Sequence, residues 1–323
     1  MAKYGDAEAA AASLDLSDSF KDSVKREMDS LRALGGFYIS DADDDFPKNL
    51  KHAYGCAPIL SVLGNRAALD KKSVSVVGTR HASAAGMDII RDIAKRLAEN
   101  DVAVVSGMAM GTDAAAHEGA LRADGDANTI AVLAGGVDYV WPLENRKLYD
   151  DIVRRGAVVS EMPVGFKPTA THFAQRNRIV AALGEKLVLG ESNEGSGSLI
   201  TANFAKDFGR RIFALPGHPA DPRAHGPNRL IREGAATLCM GADDFFPKLE
   251  FGGSIDNTKK AVLRAESALG NRILDLMAAS PSSESVIASA LGENIAIIKK
   301  ELVLLEISGR VEKANGGFIR KSF

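Results

Sequence analysis

The sequence is short of several patterns that mark large classes of protein. Only two cysteines occur in 323 residues, Cys56 and Cys239, far apart and without a partner at ligand spacing. That argues against a disulfide framework and a structural zinc site, and it suits a reducing, cytoplasmic setting. Long apolar runs are missing as well. The longest, Thr129 to Gly136 and Lys186 to Gly190, have strand length and fall far short of the ~20 residues of a membrane span. Residues 1–15 are rich in alanine and acid with no basic start ahead of an apolar stretch, so no secretory leader is expected and residues 1–19 read as a disordered lead. Neither a Gly-x-Gly-x-x-Gly turn after a strand nor a Walker A lysine is present. A dinucleotide cofactor and ATP hydrolysis therefore have no support, and no cofactor is expected. Nor is there an excess of charge of either sign: the net charge is −2 and the pI about 6.3, unlike a protein that coats nucleic acid with a generally basic surface.

The charge that is present is unevenly placed. Residues 1–50 carry 6 Lys and Arg against 11 Asp and Glu, whereas residues 71–248 carry 22 against 21, so any anion site must be local. From Ser73 onward, short apolar runs alternate with segments of helical period. The runs are Val74 to Val77, Val102 to Val105, Thr129 to Leu133, Ala157 to Ser160, Lys186 to Leu189 and Arg211 to Leu215. Their near-continuous apolar character is that of strands covered on both faces. Between them, Met87, Ile90, Ala94 and Leu97 mark one face of a helix over 84–99. The pattern predicts an α/β fold: a doubly wound, mostly parallel Rossmann-like sheet over 71–249. Residues 20–70 read as a short N-terminal extension packing on this core, with a helix over 20–34. Residues 250–265, rich in Gly, Ser, Asp and Lys, read as a linker. Beyond it, 266–323 offers helices near 268–278, 283–291 and 294–307 and then two short strands around an Asn315-Gly316 turn, a small winged-helix domain.

Ligands meet an open parallel sheet at the carboxyl ends of its strands, and the residues just after these strands are unusually small. The first strand is followed by Gly78, Thr79 and Arg80, the second by Ser106, Gly107, Gly111 and Thr112, and the third by Gly135 and Gly136. The fifth leads to Glu191 and the loop Gly195, Ser196, Gly197, Ser198, and the sixth to Pro216 and Gly217. Glycine lets a ligand approach backbone amides, and a helix start directs N–H groups at an anion. Tight strand-to-helix turns use glycine for conformational reasons too. Arg80 is harder to explain as turn chemistry; its guanidinium could fork onto phosphate or stack on a base.

The stretch His172 to Arg178 sets Phe173 beside Arg176, Asn177 and Arg178, a stacking plane with charge for a single strand. The alternative is that Phe173 packs in the core, one arginine holds Glu191 or Glu161, and Asn177 clamps backbone. Arg176 and Arg178 project in different directions from a helix, so at most one is comfortably buried. Asp113 and His117 share a helix face at i and i+4, the geometry of an acid–base pair. No nucleophile and no third metal ligand accompanies them, and the simpler expectation is that Thr112 or Asp113 caps the helix and His117 is structural. In the winged-helix domain, the third helix offers Lys299 and Lys300 amid isoleucines and leucines, a poor reader of base edges.

Taken in order, Val77-Gly78-Thr79-Arg80, Ser106-Gly107-Met108-Ala109, Gly111-Thr112-Asp113 with His117, Thr129 to Asp138, and Trp141-Pro142-Leu143-Glu144-Asn145 resemble the DNA-processing protein A family. The match continues through Ser160-Glu161, Arg176-Asn177-Arg178, Ser196 to Ala202, Pro216-Gly217 and Asn228 to Ile231, covering about residues 46–248 with a similar winged helix behind. The resemblance implies a homodimeric, non-enzymatic recombination mediator that binds single-stranded DNA and helps load RecA on it during natural transformation. It places the DNA pocket on Arg80, on Phe173 with Arg176 and Arg178, and on the loop Gly195 to Ser198. With these the residue-level reading groups Gly78, Thr79, Ser106, Gly107 and Asn177.

The sequence departs from the family pattern at Met110 and Ala170, commonly basic, and at Ala174, commonly proline. Lys167 and Lys206 are candidates to restore the lost charge. Two rival readings share the architecture. A nucleotide phosphoribohydrolase would carry a Pro-Gly-Gly-x-Gly-Thr loop where this chain has Ser196-Gly197-Ser198-Leu199. A winged-helix regulator with a nucleotide-sensing sheet would need a better recognition helix.

Overall fold

The computed structural model describes residues 17–53, 55, 57–245, 268–277, 282–307, 310–314 and 317–320. Residues 1–16 of the expected lead, Cys56, the expected linker 250–265 and the Asn315-Gly316 turn lie outside the described residues. Ser17 to Ser19, the end of that lead, are instead the cap and first residues of helix α1 (Asp18–Ala33), with the Ser17 hydroxyl accepting from the Phe20 N–H. Two compact units divide the chain, Met1–Lys248 and Leu249–Phe323.

In the first unit the chain runs β1 (Phe37–Ser40), β2 (Ile59–Gly64), β3 (Ser73–Val77), α2 (Ala84–Glu99), β4 (Ala103–Ser106), α3 (Thr112–Leu121) and β5 (Thr129–Val132). It continues through α4 (Arg146–Arg155), β6 (Ala157–Ser160), α5 (Ala170–Leu183), β7 (Lys186–Leu189), α6 (Gly197–Asp207), β8 (Arg211–Ala214), α7 (Pro222–Arg232) and β9 (Thr237–Leu238). These strands form one nine-stranded sheet in the order β1-β2-β6-β5-β4-β3-β7-β8-β9. From β6 to β9 every pairing is parallel, while β1 and β2 add an antiparallel edge. The segment expected to pack on the core as an extension supplies two strands of the sheet.

The apolar runs of β3 to β8 are explained by the two layers they serve. Successive residues of a strand face opposite sides. Val77, Ala103, Val105, Leu187 and Leu189 pack with Ile179–Leu183 of α5 and Leu199, Ala202 and Ala205 of α6. Val74, Val76, Val104 and Val188 pack with Ile90, Ile93, Ala94 and Leu97 of α2 and with Ala115, Ala116 and Ala120 of α3. From β3 the chain moves outward through β4, β5 and β6, then returns to lay β7 on the other side of β3, with Val77 opposite Leu189. The loops after β3 and β7 therefore part company above adjacent strands, and this divergence opens a crevice at the carboxyl edge. Among the described residues no helix is long and apolar enough to cross a membrane.

The second unit holds α8 (Ala268–Leu276), α9 (Glu284–Leu291), α10 (Ile295–Ile307) and a hairpin of β10 (Val311–Ala314) with β11 (Gly317–Arg320). Ser283 caps α9, whose end is turned by Gly292 at φ +67°. Ile298, Leu302 and Leu305 of α10, at spacings of four and three, bury against Ile273, Ile287 and Phe318. The arrangement is that of a winged helix.

Candidate nucleic-acid interface

A cavity of about 420 Å³ occupies the crevice above β3, β4 and β7. Gly78, Thr79 and Arg80 line it from the first loop, Gly107, Ala109 and Asp113 from the second, and Ser196, Gly197 and Ser198 from the third, while α5 contributes Ala170, Phe173, Ala174, Arg176 and Asn177. Ten of the expected site residues thus meet in one place: Gly78, Thr79, Arg80, Gly107, Phe173, Arg176, Asn177, Ser196, Gly197 and Ser198.

The Arg80 backbone is fixed from both sides. The Thr79 N–H donates to the Glu191 carbonyl at 2.6 Å, and the Thr112 N–H and hydroxyl both donate to the Thr79 carbonyl, at 3.2 and 3.3 Å. Glu191 in turn accepts from the Ser83 N–H and hydroxyl at the start of α2, both at 2.6 Å. It therefore serves the loop rather than an arginine of α5. The Arg80 side chain is exposed, and among the described residues no carboxylate pairs with it. Its Cζ lies 5.0 Å from the ring centroid of Trp141 and 6.0 Å from that of Phe173, within range of a cation–π attraction.

Beneath this rim Arg176 is buried, and its guanidinium donates to the carbonyls of Gly107, at 2.5 Å, and Val132. Arg176 thus ties the ends of β4 and β5 together. A Cβ at position 107 would meet the guanidinium at 2.7 Å, so Gly107 is glycine to admit Arg176. Likewise a Cβ on Gly78 would strike Thr112 at 2.4 Å, and one on Gly111, at φ +73°, would strike the Thr79 carbonyl at 2.5 Å. Gly197 differs: it is exposed, and a Cβ there would meet nothing within 4 Å. The hydroxyls of Ser192, Ser196 and Ser198 bond one another at 2.6–2.9 Å, and no side chain caps the start of α6. That helix start faces the cavity with its positive dipole end. Asn177 links α5 to the start of α6, accepting from Arg176 Nε and donating to the Gly197 carbonyl, both at 3.2 Å.

Burial lowers the Arg176 pKa to about 10; Asp113 opposes this and Arg80 adds to it, and the group stays cationic at neutral pH. Burial raises the pKa of Asp113, with Arg176 opposing. Asp113 accepts from the Ala109 N–H at 3.3 Å, so it braces the loop before α3, whose actual cap is Gly111. The expectation that Thr112 or Asp113 caps this helix is corrected, because Thr112 turns to the Thr79 carbonyl instead. His117 is fully buried, and its Nδ1 lies 2.7 Å from the Thr129 hydroxyl, which itself donates to the Val104 carbonyl. With that proton committed, the hydroxyl can only accept, so Nδ1 carries the imidazole hydrogen. Burial, with Arg176 adding to it, depresses the His117 pKa to about 3. The imidazole is neutral and structural.

The structure leaves five expected site residues outside the lining. Ser106 is buried, its hydroxyl donating to the Val76 carbonyl at 2.6 Å. Arg178 is held by both carboxylate oxygens of Glu161, with Nη2 at 2.9 Å from Oε1. Gly195, at φ +75°, shapes the turn before α6. Lys167 is exposed on the loop before α5. Lys206 is exposed in the last turn of α6, about 14 Å along the helix from its cavity end, so it cannot restore charge there. The loops of Gly135-Gly136 and Pro216-Gly217 do not line the cavity either. A Cβ on Gly135 would meet the Phe166 carbonyl at 2.7 Å, a packing reason for glycine. Trp141, nine residues past the end of β5, was not among the residues the sequence singled out for the site.

The model of DNA recombination-mediator protein A matches residues 37–250, and that of the DprA winged helix domain matches residues 257–317. The chain is 35% identical over 233 residues to DNA processing protein DprA of Bacillus subtilis, covering 72% of this chain and 77% of that one. It is similar to the X-ray structure of DNA processing protein A from Streptococcus pneumoniae, with a TM-score of 0.65 and 35% identity over 72% of this chain and 79% of that one. A second structure, which describes the single-stranded DNA binding mode of DNA processing protein A from Helicobacter pylori, aligns with a TM-score of 0.59 and 28% identity over 64% of this chain and 93% of that one.

Proposed function

The chain belongs to the DNA recombination-mediator protein A family, and from that premise we propose that it binds single-stranded DNA at the cavity above β3, β4 and β7. The observation that carries this reading is the meeting in one cavity of Arg80, free of any carboxylate partner among the described residues, the Phe173 ring and the start of α6. Phosphate oxygens are met by Arg80 and by backbone N–H groups of the 78–80 and 196–198 loops, with the cation of Arg176 beneath. Phe173 offers its face to a base. Every base has such a face, so recognition is tolerant of sequence. In this role the protein is a non-enzymatic, cytoplasmic homodimer that protects incoming single strands and helps load RecA during natural transformation.

Fluorescence anisotropy of labelled oligo-dT tests the binding step. With two to three phosphates neutralised, log affinity should fall with log salt at a slope of about −1.4 to −2.1. A duplex of equal length should bind more weakly, since its bases are stacked away from Phe173. Tighter binding to duplex than to single strand would overturn the reading.

A further inference from the structure

Trp141 belongs to none of the core clusters among the described residues and keeps 38% of its surface exposed, beside the cavity-lining residues Arg80 and Phe173. Its loop is anchored, because Asn145 donates from Nδ2 to the Met108 carbonyl at 2.9 Å, next to the Gly107 that admits Arg176. The indole lies with its centroid 4.9 Å from that of Phe173 at an interplanar angle of 60°, and the Arg80 guanidinium rests against both rings. Two rings so inclined cannot stack in parallel on the same base; they present separate platforms with one cation beside both. Resting on the single-strand reading above, we infer that Trp141 is a second base-stacking residue. It takes the base adjacent to the one on Phe173, while Arg80 holds the phosphate that joins the two nucleotides.

An exposed indole flanked by a ring and a guanidinium suits this use, since base–aromatic stacking needs an apolar face and tolerates any sequence. The sequence contains a single tryptophan, so emission excited on the red edge, where tyrosine does not absorb, comes from this residue alone in the full-length protein. Titration with unlabelled oligo-dT should quench that emission at the concentrations where labelled oligo-dT gains anisotropy. An abasic oligomer of the same length, bound at low salt, keeps the phosphates but should leave the emission unchanged. Replacing Trp141→Ala should weaken oligo-dT binding about 5- to 100-fold, whereas Trp141→Phe should stay within about threefold. Anisotropy without quenching, or equal quenching by the abasic oligomer, would overturn the inference and leave the single-strand reading standing. Absence of any anisotropy change in the wild-type protein would overturn both.

Discussion

On the floor of the cavity Arg176 is buried and spends its guanidinium on the carbonyls of Gly107 and Val132, while on the rim Arg80 is exposed and rests on the rings of Trp141 and Phe173. Glycine divides in the same way. Gly107 leaves room for a guanidinium already inside the protein, and Gly197 borders open space. Identical residue types are thus committed to the fold below and left open above. The difference lies in whether each polar group has an internal partner, because a buried group must find one and an exposed group can wait for an external one.

The sharpest way to break this comparison is to remove the floor arginine. Arg176→Met strands two buried carbonyls and leaves Asp113 without its cation, which should cost about 3–5 kcal/mol in urea denaturation. Unchanged stability with reduced DNA affinity would move Arg176 to the rim. Arg80→Ala is the counterpart. It should lower oligo-dT affinity about 10- to 100-fold, the value of charge-assisted bonds to phosphate, and change stability by no more than about 0.5 kcal/mol. Loss of stability without loss of affinity would place Arg80 with the floor.

A smaller effect concerns pH. His117 has a folded pKa of about 3, below the value near 6.5 of an unfolded histidine, so the unfolded chain takes up its proton first as pH falls. The stability tied to keeping it neutral is fully present above pH 6.5 and is lost as pH falls below it. Between pH 6.5 and 4.5 the wild-type protein should lose about 2 kcal/mol more than His117→Gln. Asp113, raised in the opposite sense, is common to both proteins and cancels in the difference. Parallel pH profiles would show that His117 takes up its proton as readily in the folded protein as in the unfolded chain.

Much of this layout could be read from residues. Strands β3 to β8 declared themselves through apolar runs that two covered faces require, and the doubly wound order then pointed to the loops bearing Arg80 and Gly197. Strands β1, β2 and β9 did not. Each lies toward an edge of the sheet, and β9 has two residues, both exposed, so no buried pattern marks it. The helical spacing of Arg176 and Arg178 required them to diverge, but the inward one was decided by tertiary contacts, Gly107 and Val132 on one side and Glu161 on the other. Lys206, a candidate to restore charge, is carried away from the cavity by the length of α6. Trp141 carried no such positional signal, because it stands well past the end of β5 and a longer loop returns it to Arg80 and Phe173.

The pairing of β3 with β7 also sets when the molecule can be completed. The ribosome adds about 5–20 residues per second, so roughly 5–20 s separate the synthesis of Arg80 from that of Leu189. A nascent chain that has emerged only as far as α4 carries Arg80 on a strand with one flank bare, without Glu191 to hold Thr79 and without Arg176 below. The cavity thus awaits this long-range closure and the 196–198 loop behind it, and a half-made chain presents the Arg80 loop without those walls.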